Sequence, residues 1–277
     1  MTITSETTTP TVDLAAVKAR QQRTWAAGDY AAVGSTLQIM GEQLCEAAEL
    51  RPGWQVLDVA TGNGGTAIAA ARRGCDVVGV DYVPALLAHA RERAAAERYP
   101  IRFDEGDAEA LPYGDAGFDA VTSTLGCMFT ADHRRAADEL LRVCRPSGVI
   151  AMANWTPGGF IGQVFKTIGG HVPPPPGVTS PAMWGTENYL RTLFGAGVSA
   201  LRTRTRTFTF RYRSPQHFLE FLRTNYGPML KAFEILDDTG REALARDLQA
   251  LMTEANTATG TLAIPSEYLE VVATRSA

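Results

Sequence analysis

Between Arg51 and Trp155 the sequence changes its hydrophobic period again and again, and turn residues separate the segments. "QVLDVA" reads as a buried strand, and "GGTAIAAARRG" as a helix closing on Gly74. "CDVVGVD" is a second strand, followed by the helical "VPALLAHARERAAAE". "IRFDEGDA" holds a short strand and "FDAVTSTLG" a longer one. The helix "DHRRAADELLRVCRPSG" stops at Pro-Ser-Gly, and "VIAMANW" completes the series. Strands alternating with helices predict βαβ units, and so an α/β fold with a doubly wound, Rossmann-like, mostly parallel sheet. Right-handed crossovers place helices on both faces.

The flanks divide the remaining chain. Residues 1–12 are a polar, disordered tail, and 13–50 form an N-terminal helical cap ahead of a 51–155 core. Residues 156–200 are a variable loop and helix over the substrate site: the loop is rich in Gly and Pro, with a proline run that resists helix and central strand, and "TENYLRTLFGAG" reads as the helix. "ALRTRTRTFTFRYR" alternates strictly, and its arginines suit an edge strand at 201–212. Residues 213–265 form a helical lid. Ser214 is an N-cap with Pro215 at the first helical position, and Thr239 with Glu242 forms a capping box. The last core strand occupies 266–277.

In an open α/β sheet, ligands bind where the strand order reverses, at the carboxyl ends of the strands. "VLDVATGNGG" (56–65) sits at such an end. A dinucleotide loop uses G-x-G-x-x-G to approach a pyrophosphate. Here Asp58, Ala60, Gly62 and Gly64 give an acidic-x-small-x-Gly-x-Gly pattern instead. A carboxylate there repels a pyrophosphate and attracts a cationic ligand. No Gly-Lys-Ser/Thr follows, which excludes a P-loop.

Four segments in this order resemble class I S-adenosylmethionine (SAM)-dependent methyltransferases, closest to the branch that includes ubiquinone and menaquinone biosynthesis enzymes and many small-molecule methyltransferases. They are "VLDVATGNGG", "VVGVDY", "GDAEALPY", and "FDAVTSTLGCMF" with "ELLRVCRPSGVI". Ala60 departs from the many members that carry Gly. The resemblance implies SAM as cofactor, with Ala60 and Thr61 among the loop residues that bind it, and Gly62 and Gly64 allow the backbone to approach it. Asp58 orients the loop and reaches the amino-acid end. Asp81 accepts the ribose hydroxyls, with Tyr82 packing beside them. Asp107 and Ala108 read the adenine edge. Thr124 and Leu125 lie near the transferred methyl, and Trp25 and Tyr30 fold over from the cap.

Composition limits the partners. The net charge of −4 gives no basic footprint for nucleic acid or an anionic membrane. No apolar stretch is long enough to span a bilayer. "MTITSETTTPTVD" lacks a signal pattern, and four scattered cysteines read as buried thiols, so a cytoplasmic monomer or homodimer is expected. No ligand cluster with metal spacing is present, so no metal is expected.

Methyl transfer from a sulfonium is an in-line displacement that alignment and exclusion of water can drive. No catalytic triad is apparent; His171 and His217 are the candidate bases. Trp155, Phe160, Phe165, Trp184, Phe218, Phe221 and Tyr226, with Phe233, form an aromatic-rich surface suited to a small, largely apolar acceptor methylated on O or C. A peptide or small-acid carboxylate is an alternative acceptor. A non-catalytic SAM-binding sensor or partner subunit is an alternative of another class.

Overall fold

The computed structural model describes residues 13–277; the expected disordered tail, 1–12, lies outside them. Seven strands form one sheet: β1 (Gln55–Val59), β2 (Asp76–Asp81), β3 (Arg102–Glu105), β4 (Phe118–Thr124), β5 (Cys144–Trp155), β6 (Val198–Tyr212) and β7 (Leu262–Arg275). Their spatial order is β3-β2-β1-β4-β5-β7-β6. β1 to β5 run parallel, and β7 inserts antiparallel between β5 and β6. The order reverses between β1 and β4, so the switch point lies at their carboxyl ends.

Eleven helices accompany the sheet among the described residues. α1 (Leu14–Trp25), α2 (Tyr30–Thr36) and α3 (Gln38–Ala47) precede it, and α4 (Gly65–Arg72), α5 (Pro84–Ala96) and α6 (His133–Val143) are its crossovers. α7 (Phe160–His171) and α8 (Glu187–Phe194) lie before β6. α9 (Pro215–Asn225), α10 (Gly227–Ile235) and α11 (Asp238–Glu254) lie between β6 and β7.

Two apolar cores sandwich the sheet. One gathers Leu44 and Cys45 of α3, the alanines of α4, and Leu87 and Ala90 of α5 against Val56 and Val77. Six successive residues of α4, Thr66–Ala71, are buried; a helix apolar on nearly every side is one covered all round, and four alanines let its neighbours pack close to it. The other core joins Leu57, Val121 and Ile150 to α6 and α8, and continues into α7, α9 and α11 through Val164, Phe218 and Leu248. All four cysteines are buried and free.

Local chemistry sets the starts of two helices between β6 and β7. Ser214 caps α9 through its hydroxyl, which accepts the His217 N–H at 3.1 Å, and Pro215 opens the helix as expected. α11 differs: its cap is Asp237, whose carboxylate accepts the Gly240 N–H at 2.8 Å, so the helix starts before the expected Thr239–Glu242 box. A carboxylate near the positive end of the helix is favoured there. α7 replaces part of the expected Gly/Pro loop. Gly162 makes it possible, because a Cβ at that position would meet the carbonyl oxygens of Thr156 and Pro157 at 2.3 and 2.5 Å. β6 and β7 begin at Val198 and Leu262, earlier than the expected 201 and 266, and pair along nearly their whole lengths.

Candidate functional site

A cleft of about 940 Å³ opens at the carboxyl ends of β1, β2 and β4. Its floor is the loop Ala60–Asn63, its flank is Asp81 and Tyr82, and Thr124 to Gly126 close the far side. Lys18, Gln21 and Trp25 of α1 and Tyr30 of α2 cover it. The two strand ends at its base are both strained: Ala60 has φ +52° and Leu125 φ +58°. A non-glycine residue in this region costs on the order of 1–2 kcal/mol and is kept where the surroundings enforce it. The enforcement is visible beneath the loop. Asp58, buried, accepts the hydroxyls of Thr61 at 2.5 Å and Thr122 at 2.8 Å, tying the loop after β1 to β4.

Asp81 closes β2 and is also buried. Its two oxygens accept the N–H groups of Gly62 and Val83, each at 2.9 Å. One acceptor site on each oxygen remains for a further donor. Desolvation pushes the Asp81 carboxyl up to about 6, against the pull of the Gly62, Val83 and Tyr82 amides. The same cause takes Asp58 to about 6, against its threonine donors.

The next edge is built from "GDAE". Asp107 Oδ1 accepts the Glu109 N–H at 2.9 Å, and Lys18 Nζ lies 2.6 Å from both Asp107 Oδ2 and Glu109 Oε2. Glu109 is buried, and its Oε1 accepts the N–H groups of Ala131 and Asp132 at 2.7 and 3.0 Å.

A second cavity of about 470 Å³ adjoins the first and shares Trp25, Tyr30, Leu37, Leu125 and Phe129 with it. Deeper in, Trp155, Ile161, Val164, Phe165, Phe210 and Tyr226 line it, and no charged side chain does. At the join, Trp25 packs edge-on against Tyr30, Phe129 and Tyr226, with ring centroids 5.2, 4.8 and 5.7 Å away. Desolvation first and the Asp81 charge second push the Tyr30 phenol up to about 12, and desolvation raises Tyr226 as well.

Residues 56–148 match the family described as a methyltransferase domain. An uncharacterised protein of Mycobacterium tuberculosis H37Rv is 37% identical over 249 residues, which cover 89% of this chain and 90% of that one. Demethylmenaquinone methyltransferase of Deinococcus radiodurans is 41% identical over 140 residues, 49% of this chain and 58% of that enzyme. The chain belongs to the class I SAM-dependent methyltransferases. The crystal structure of the YcgJ protein from Bacillus subtilis shares its fold, with a TM-score of 0.60 at 19% identity over 88% of this chain and 99% of that one.

In this methyltransferase the expected cofactor residues converge, with two exceptions. Ala60, Thr61, Gly62, Asp81, Tyr82, Asp107, Ala108, Thr124, Leu125, Trp25 and Tyr30 all line the first cleft. Asp58 lies beneath the loop without lining it. Gly64 faces away: it caps α4 at φ +78°, and a Cβ there would meet Ala90 and Phe103 at 3.1 and 3.2 Å.

The expected acceptor residues separate. Trp155, Phe165 and Tyr226 line the second cavity. Phe160 and Phe218 instead stack on each other within the core. Trp184 is fully buried beside His133 and Phe194. Phe221 packs against Tyr212, and Phe233 is buried under the Arg223 guanidinium. The spacing of aromatics along the chain cannot distinguish a cavity wall from a core contact. Both candidate bases also lie elsewhere. His171 Nε2 is 2.8 Å from the Asp247 carboxylate, and His217 Nδ1 accepts the Arg213 N–H at 3.3 Å; neither lines either cavity.

Lys18, Gln38, Glu109, Phe129 and Thr130 line the first cleft without having been singled out. Glu109 and Phe129 stood inside the quoted motifs "GDAEALPY" and "FDAVTSTLGCMF". Lys18 and Gln38, in the helices before the core, carried no comparable signal. No group of three or more His, Cys, Asp or Glu able to hold a metal occurs among the described residues. None of the described helices is long and apolar enough to cross a membrane.

Proposed function

We propose that this methyltransferase moves a methyl group from SAM to oxygen or carbon of a small, uncharged, largely apolar acceptor, without a metal. The carrying observation is the second cavity, which joins the first at Trp25, Tyr30, Leu37, Leu125 and Phe129 and has no charged side chain in its lining.

The first cleft fits the cofactor's chemistry. Asp81 offers an acceptor site on each oxygen to a ribose diol. Asp107 and the Ala108 amide suit the donor and acceptor edge of an adenine. Gly62, at φ +54°, turns its backbone into the cleft, and the nearest atoms a Cβ would meet belong to the Tyr30 ring at 3.6 Å. Aromatic faces at the join suit a positive sulfonium. When bound, SAM supplies the electrophilic methyl; the protein aligns the acceptor and excludes water.

The cavity offers no basic group that is ionised for the task at neutral pH, since its titratable side chains are Tyr30 and Tyr226, both shifted upward. The acceptor therefore brings its own nucleophilicity, from an electron-rich ring carbon or from a hydroxyl that enters neutral and gives up its proton only as the methyl is transferred. A carboxylate acceptor is disfavoured, because it must enter an apolar cavity already charged, and the lining holds no cationic side chain to receive it. Methyl-labelled SAM incubated with hydroquinones, naphthols and aromatic carboxylic acids tests this reading. Labelled neutral aromatics are expected. Labelling confined to the carboxylic acids would overturn it.

A further inference from the structure

α1 has no buried residue, yet its Lys18, Gln21 and Trp25 line the cofactor cleft. A helix that buries none of its own residues is held by its polar ties and its rims. Here Lys18 bridges Asp107 and Glu109, and the Gln22 amide donates to the Tyr82 carbonyl at 2.7 Å. At its carboxyl end Trp25 meets Tyr226, and Gly227 lies close enough to the Thr24 carbonyl to forbid a Cβ. α1 thus reaches from the adenine side of the first cleft to the wall of the second.

Resting on the cofactor reading above, we propose that Lys18 is a positioning residue for adenine recognition, which holds the Asp107 carboxylate in place and links the seating of α1, and with it the Trp25 wall of the acceptor cavity, to occupancy of the cofactor cleft.

The division of hydrogen bonds supports this. Glu109 is fixed: Oε1 takes two backbone amides, and Oε2 faces Lys18. Asp107 Oδ1 is used by its own turn, so Oδ2, which Lys18 holds, has room for one more donor. The exocyclic amino group of adenine is such a donor. Without Lys18, two carboxylates would face each other with no cation between them. The Lys18–Asp107 arm, each side chain about one-third exposed (34%), contributes little stability, whereas Glu109 is buried, so Lys18→Met costs stability through Glu109 and aim through Asp107. The loss at Asp107 is the one that bears on adenine, and the comparison of the two ligands below separates it from any loss of stability.

Calorimetry with S-adenosylhomocysteine tests the proposal. Lys18→Met should weaken binding about tenfold or more, the scale of one hydrogen bond to a charged group, and Lys18→Arg should restore most of it. S-inosylhomocysteine, with a carbonyl in place of the amino group, should bind the unaltered protein weakly and Lys18→Met no worse. Hydrogen exchange across residues 14–25 should slow when S-adenosylhomocysteine binds the unaltered protein and much less in Lys18→Met. Equal losses for both ligands, or exchange that slows alike in both proteins, would overturn the proposal while leaving the cofactor reading intact. If the unaltered protein binds neither ligand, the cofactor reading fails, and this proposal with it.

Discussion

The backbone N–H of Gly62 donates to Oδ2 of Asp81 across 2.9 Å, so the loop after β1 is pinned to the end of β2. One carboxylate therefore shapes the first loop and presents acceptor sites to the cleft. Asp81→Ala should remove both functions and weaken SAM binding at least a hundredfold by calorimetry, since two charged-acceptor contacts and the loop's anchor are lost together. Gly62→Val should also weaken it, because φ +54° is strained for a β-branched residue. Arg202→Ala, on the exposed edge strand, should leave binding unchanged.

Protonation should act on the ligand-free and loaded protein with opposite signs. Asp58 and Asp81 are both raised by desolvation to about 6. A carboxyl raised on folding contributes stability at low pH that is lost as pH rises through its folded value. The stability deficit of Asp58→Asn relative to the unaltered protein should therefore shrink between about pH 4 and pH 7, by on the order of 3 kcal/mol for a shift of about two units. Cofactor affinity should run the other way. Ribose donors favour ionised Asp81, so affinity should fall as pH drops below about 6, and Asp81→Asn should flatten that dependence. A cofactor affinity that rises on acidification would contradict the role given to Asp81.

Much of this site can be read in the chain because backbone needs leave marks. β1, β2, β4 and the second half of β5 are largely buried runs between turns, and the acidic ends of β1 and β2 border the cleft. Ala60 shows what a resemblance can add: many relatives carry Gly there, and the structure holds the position at φ +52°. Side-chain destinations are less legible. Phe160 opens α7 and Phe165 lies five residues on, in its middle, yet Phe165 lines a cavity and Phe160 stacks on Phe218. Their spacing in sequence does not decide this; the path of β6 and α9 does. Lys18 is similar: its partners are 89 and 91 positions away, and nothing near it in sequence reveals them.

Ala60→Gly should be tolerated and should raise the midpoint of thermal unfolding. Relief of left-handed strain, about 1–2 kcal/mol, exceeds the added unfolded-chain entropy of a glycine, about 0.4–1 kcal/mol. Cofactor affinity should stay within a few-fold. A drop in melting temperature would show that the Ala60 methyl, which faces the Gly126 backbone, packs more than it strains.

The histidines should be dispensable for chemistry. His171→Ala and His217→Ala should each retain turnover within about threefold, since a general base contributes roughly 100- to 10,000-fold. Turnover should also survive EDTA. A loss of base-sized magnitude at either histidine, recovered at higher pH, would mean that the chain rearranges around α7 or α9 when the acceptor binds.

The acceptor cavity should separate residues that sequence alone treats alike. Phe165→Ala and Trp155→Ala each open its wall, whereas Phe221→Ala acts beside Tyr212, away from the cavity. A covered aromatic side chain contributes about 1.5–3 kcal/mol of apolar burial, so Phe165→Ala should raise the acceptor's KM by roughly ten- to a hundredfold at unchanged SAM affinity. Phe221→Ala should lower the melting temperature with little change in KM. Tyr226→Phe keeps the ring and removes the hydroxyl. Its phenol is desolvated and shifted upward, so it is not ionised at neutral pH, and the variant should keep both KM and kcat within a few-fold. If Tyr226→Phe instead cut kcat by more than a hundredfold with KM unchanged, the hydroxyl would be acting on the reacting atoms, and the assignment of this cavity to alignment alone would be wrong.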